Sequence, residues 1–142
     1  MRLSTFLPLL LAGSLHAKDA LFEAFESDGF GEWKVEGSAF GLSPTASSPD
    51  GMNGSVKNFS NNYYVSSAHQ GDASVGSLTS PEFTIDLPYI AFLISGGNHP
   101  DKTAVQLLVD GKVAMTGSGQ NSLTMQALVW NVGDLKGKKA RL

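Results

Sequence analysis

From Leu21 onward the apolar residues fall in short runs separated by Gly, Pro, Asp and Asn, and helical periodicity is nearly absent. Leu21–Glu26 reads as a first strand, and Trp33–Glu36 alternates as a half-buried strand does. Ser43–Gly54 holds two prolines and little apolar content, which predicts a loop; Tyr63–Ser67 is a short strand candidate. Gly76–Leu78 and Phe83–Ile85 flank Ser80-Pro81, where proline forbids one continuous central strand. Tyr89–Ile94 is apolar at every position, the pattern of a central strand covered on both faces. Val105, Leu107 and Val109 alternate toward Asp110-Gly111, and Lys112–Met115 follows. Asp-Gly between two such runs predicts a tight hairpin, because both turn positions need positive φ. Leu128, Trp130 and Val132 share one face of a further strand. Gly133–Gly137 turns the chain, and Lys139–Leu142 begins a new alternation.

About eight or nine short strands with turn signals between them predict an all-β fold, an antiparallel β-sandwich that is jelly-roll-like. No internal repeat or linker divides residues 18–142, which are expected to form one domain. Ala140-Arg141-Leu142 stops in mid-alternation without a turn or cap. The expectation is a sandwich truncated within its last strand, which would leave an unpaired edge.

The first 17 residues follow a different pattern. Arg2 precedes an apolar stretch from Leu3 to Leu15 that closes on His16-Ala17, and Lys18-Asp19 follows. These are the parts of a secretory signal peptide, residues 1–17, with cleavage after Ala17. A buried N-terminal helix is the competing explanation, and Pro8 and Gly13 argue against it. The stretch is shorter than the roughly 20 residues that span a bilayer, so no membrane span is expected. The protein is expected to be secreted or periplasmic.

Composition narrows the chemistry. The 142 residues contain no cysteine, which excludes a disulfide framework, a Cys-based zinc site and a thiol nucleophile. Export without disulfides fits a bacterial envelope or extracellular protein better than a eukaryotic secreted module. The formal charge of −3 with no long basic run argues against nucleic acid as a partner. Asn53-Gly54-Ser55 and Asn58-Phe59-Ser60 match the glycosylation sequon, which matters only in a eukaryotic host and arises easily by chance in Ser/Asn-rich sequence.

Few residues offer catalytic chemistry. Past the signal segment there are two histidines, His69 and His99, thirty residues apart, a weak case for a zinc site or a triad. His99 lies in Gly96-Gly97-Asn98-His99-Pro100, after the apolar strand. Gly97, Asn98 and His99 are the candidate ligand-binding residues: glycine lets a ligand approach the backbone, and the two side chains offer donors and acceptors. The alternative is a plain turn in which His99 bonds to backbone. Glu23, Glu26 and Asp28 form an acidic cluster that is either a Ca2+ site short of ligands or a solvated strand edge. Gly71–Gly76 lacks the Gly-Lys-Ser/Thr of a phosphate loop. Trp33, Tyr63, Tyr64 and Trp130 are either sugar-stacking platforms or core, and the phase of Trp130 makes it core. No paired carboxylates for glycoside hydrolysis can be located, and no cofactor is expected.

Four stretches together resemble a known family: FEAFES (Phe22–Ser27), GDASVGSLTSPEFTI (Gly71–Ile85), PYIAFLISGGNHPDKTAVQLLVDGKV (Pro88–Val113) and WNVGDLKGKKARL (Trp130–Leu142). They are similar to the β-sandwich region N-terminal to the catalytic domain in secreted bacterial levanase- and fructanase-like enzymes of glycoside hydrolase family 32. The likeness is thin from Ser43 to Asn62. It implies a non-catalytic, carbohydrate-associated accessory domain whose partner is a fructan or other polysaccharide, or the missing catalytic domain. The family's catalytic Asp and Glu, on a five-bladed propeller, have no match in this chain. In the family the last strand continues into an aspartate and a Gly-Trp-Gly-His segment, also without a match here. Gly96–His99 does match, which places any ligand contact at that loop. The rival expectation is a structural or adhesive envelope module without a sugar ligand.

Overall fold

A computed structural model describes residues 19–48 and 52–142; the expected signal segment lies outside them. The strands are β1 (Lys34–Gly37), β2 (Gly76–Thr79), β3 (Phe83–Thr84), β4 (Tyr89–Gly96), β5 (Val105–Val109), β6 (Lys112–Gly117), β7 (Ser122–Asn131) and β8 (Lys139–Arg141). A 3-10 turn, Gly133–Leu135, links the last two. All pairings between these strands are antiparallel, as the spacing of apolar runs predicts.

The β5–β6 hairpin shows the local cause. Asp110 and Gly111 both have positive φ, 51° and 74°, so the two-residue turn carries the twist of the flanking strands. One bulge between Leu107 and Leu108 leaves Ala114 unpaired opposite them. The register puts Leu107 and Val109 on the inward face, where they are buried.

Two layers enclose the core. One is a four-stranded sheet in the order β3-β8-β5-β6, and the other is the pair β4-β7. Leu107, Val109 and Ala140 from the first layer pack with Trp130 from the second, joined by Ile85, Val132 and the half-buried Ile90, Phe92 and Leu128. Phe92 meets Trp130 edge-on with ring centres 4.8 Å apart. Gly117 has no side chain because Leu128 and Trp130 occupy that space. The third sheet, β1-β2, pairs Val35 with Leu78. There Gly37 and Gly76 let the two backbones approach more closely than any Cβ would allow.

Four expectations need correction. Leu21–Glu26 is not a strand: the Glu23 carboxylate accepts the N–H groups of Ala24 and Phe25, at 2.8 and 2.7 Å, and Phe25 has φ +57°. A local side-chain acceptor here replaces a ladder, and Phe22 and Phe25 pack against Trp33 instead. Tyr63–Ser67 contributes only a single bridge, Tyr64 to Thr45. β4 is not covered on both faces. Its inward residues Ile90 and Phe92 join the core, whereas Tyr89 and Leu93, with Val129 of β7, are exposed on the outer face. Finally, β8 is not an unpaired edge, because it lies between β3 and β5 and bonds to both. Buried Ser80 fastens it: Ser80 N–H donates to the Leu142 carbonyl, and Leu142 N–H donates to Ser80 Oγ, at 2.8 and 2.9 Å.

Candidate functional site

The loop that leaves β4 is held by the loop between β6 and β7. β4 shifts register between Ile94 and Gly96, and Gly96 takes φ +105°, turning the chain out of the sheet. The Asn98 N–H donates to Asn121 Oδ1 at 2.9 Å, and the buried Ser118 hydroxyl donates to Asn98 Oδ1 at 3.1 Å. Gly119 lies directly on the Gly96 backbone, in a space no side chain would share. Two loops more than twenty residues apart in sequence therefore form one end of the molecule.

The three candidate ligand residues have different surroundings. Gly97, Asn98 and His99 are all exposed. The His99 carbonyl accepts the N–H groups of Lys102 and Thr103, at 2.9 and 2.8 Å, closing a tight turn. Its ring lies over Gly97, 2.9 Å from where a Cβ would stand. The Asn98 side chain is engaged in the loop-to-loop bond. Of the three, Gly97 lines the cavity at this end of the molecule.

That cavity is a cleft of about 610 Å³, within the range of small-molecule sites, roughly 300–1,000 Å³. One wall is Gly96 and Gly97 with Asn121, Ser122 and Leu123; the other is Met52, Asn53, Ala68, Gly71 and Asp72. Backbone bonds draw the walls together. Lys57 N–H donates to the Leu123 carbonyl and Met125 N–H to the Lys57 carbonyl, laying this segment along the free edge of β7. Asn58 adds a side-chain bond to the Met125 carbonyl at 3.0 Å. Gly54, at φ +123°, leaves room for the Leu123 side chain. The His69 N–H donates to the Ala39 carbonyl, and its ring covers Gly41, anchoring the second wall.

Asn53, Asp72, Asn121 and Ser122 are polar lining residues that the sequence does not single out as ligand contacts. Asn53, Asp72 and Asn121 come from three separate loops and Ser122 opens β7, and only the positive φ of Gly71 and Asn121 leaves a trace, in residue types that favour that conformation. Among the described residues the lining carries one carboxylate, Asp72. It offers amide and hydroxyl groups, one acid and an apolar patch. Hydrolysis by paired carboxylates needs a second acid facing the same bond.

In the acidic cluster near the N-terminus, Glu23 and Glu26 are committed to internal bonds. Glu26 accepts from the Asn62 backbone and side chain and from the Tyr63 N–H, between 2.8 and 3.3 Å. Desolvation works against its charge, but these donors outweigh it and hold the carboxyl below its ordinary pKa. Glu23 additionally accepts from Trp33 Nε1 at 3.3 Å. Among the described residues no group of three His, Cys, Asp or Glu is placed to hold a metal ion. Trp130 and Tyr64 are core, while Tyr63 remains 38% exposed. No described helix is long and apolar enough to cross a membrane.

No protein-family model matches the chain, and no solved structure matches it. One curated protein, from Aspergillus rugulosus and named "Putative glycosyl hydrolase ecdE", is 38% identical over 125 residues. The aligned region is 84% of this chain but 17% of that protein. The chain is thus similar, over most of its length, to a small part of a longer protein named as a glycosyl hydrolase.

Proposed function

We propose that this chain is an exported, non-catalytic accessory domain of a glycoside hydrolase family 32-like protein, associated with fructans or a related polysaccharide. The observation that carries the reading is the 38% identity covering most of this chain and 17% of a named glycosyl hydrolase. A domain-sized match of that kind suits an accessory unit of a larger enzyme. The β-sandwich supports it, and so does the signal-like pattern of residues 1–17. Ligand contact is proposed at the loop end, at Gly97; Asn98 ties that loop to Asn121, and His99 closes the following turn through its backbone carbonyl.

Calorimetry of the folded chain against levan and inulin, beside an assay for released reducing sugar, tests the reading. Binding without sugar release is the expected result. Absence of binding to both polymers, or turnover of either, overturns it.

One observation favours a second role, packing without a sugar ligand. Neither β4 nor β7 carries a charged residue, and their outer face exposes Tyr89, Leu93 and Val129. An uncharged apolar face of this kind suits contact with the body of a larger protein.

A further inference from the structure

We infer that the sugar is held in the cleft itself rather than by the His99 side chain, and that the cleft selects an uncharged sugar over an acidic one. The inference rests on the carbohydrate reading above and assigns its ligand class. Among the described residues the lining contains no Lys, Arg or His, and the one charged group is the exposed Asp72. A carboxylate on the ligand would therefore face a like charge with no cation to offset it. At about 4 Å such a pair weakens affinity by about fivefold in water, and by more where the walls exclude solvent.

The rest of the lining suits a neutral polyol. Asn121 Oδ1 is already used by the Asn98 N–H, which leaves the Asn121 amide N–H groups as donors. Asn53 brings a second amide to the opposite wall, and the Asp72 carboxylate is an acceptor for two neighbouring hydroxyls. Met52 and Leu123 offer apolar surface to the C–H face of a sugar ring. The half-buried Gly96 and the exposed Gly97, both without a side chain, allow close approach between them. His99 contributes no lining atom, since its ring folds over Gly97 and its carbonyl closes the following turn.

The test is titration calorimetry of the full chain with two probes, inulin-derived oligosaccharides and oligogalacturonides of similar length. The wild-type chain should bind the neutral probe at least about tenfold more tightly. Asp72→Lys, in an exposed loop, should reduce that ratio by about tenfold or more, and Asn53→Lys on the same wall should shift it the same way. His99→Ala should leave both affinities within about twofold. An unchanged ratio in both lysine variants, or loss of binding in His99→Ala, overturns the cleft assignment while the carbohydrate reading stands. Failure of the folded wild-type chain to bind either probe overturns the carbohydrate reading and this inference with it.

Discussion

Asn98 and Asn121 join the two loops at the cleft end of the sandwich: the Asn98 backbone N–H donates to the Asn121 side-chain oxygen at 2.9 Å. Asn121 reaches that position with φ +57°, a conformation asparagine tolerates better than most residues. Asn121→Ala loses the bond and strains the backbone, two effects of about 1 kcal/mol each. The expected loss is about 2 kcal/mol, read as a lower urea midpoint at unchanged slope. Asn121→Asp keeps the acceptor and should lose less than half as much.

Adjacent positions on β7 should respond very differently. Trp130 is 7% exposed and packs edge-on against Phe92, whereas Val129 is 57% exposed on the opposite face. Trp130→Ala should cost about 3–5 kcal/mol through the cavity it leaves. Val129→Thr should stay within about 0.5 kcal/mol. Equal urea midpoints for the two variants would contradict the assignment of faces.

The hairpin turn gives a smaller and more local effect. Gly111 has φ +74° with open space where a Cβ would stand, so Gly111→Ala meets no clash and reports backbone strain alone. The expected cost is about 1 kcal/mol, measured by thermal or urea unfolding.

Acid sensitivity should trace in part to Glu26. Its folded-state pKa lies below the ordinary 4.5, so folding favours the charged form. The stability it contributes is fully present above the unfolded-state pKa and is lost as pH falls through the lower folded value. Glu26→Gln should therefore lower the urea midpoint at pH 7, and the difference should shrink below about pH 4.5. A gap of constant size down to pH 2 would count against this linkage.

The strand ladder was largely legible in the sequence because its cues are local. Alternation gave β5, Asp110-Gly111 gave the hairpin, and the common phase of Leu128 and Trp130, continued by Val132 just past the strand, gave the inner face of β7. What failed depends on partners far along the chain. Tyr89–Ile94 is equally apolar at outward and inward positions, so its composition cannot reveal that Leu93 stays exposed while Phe92 packs on Trp130. The Glu23 carboxylate claims backbone donors that an alternating pattern would assign to a ladder. The cleft was legible only at Gly96 and Gly97. Asn53, Asp72 and Asn121 belong to separate loops that no periodic pattern links, and bonds such as Lys57 to Leu123 bring them together.

The interior position of β8 has a consequence for biosynthesis. β3 finds its ladder partner in β8, where Phe83 pairs with Ala140, and β5 needs the same strand on its inner side. Until residues 139–141 are made and clear the ribosome, β3 has no neighbour in its sheet and β5 has only β6. Chain growth at roughly 5–20 residues per second leaves the β5–β6 hairpin ample time to form first, since such hairpins close within about 10 μs. The four-stranded layer is then completed by inserting one strand between two waiting edges, a long-range step that should set the folding rate and define the interval in which the nascent chain most needs protection from aggregation.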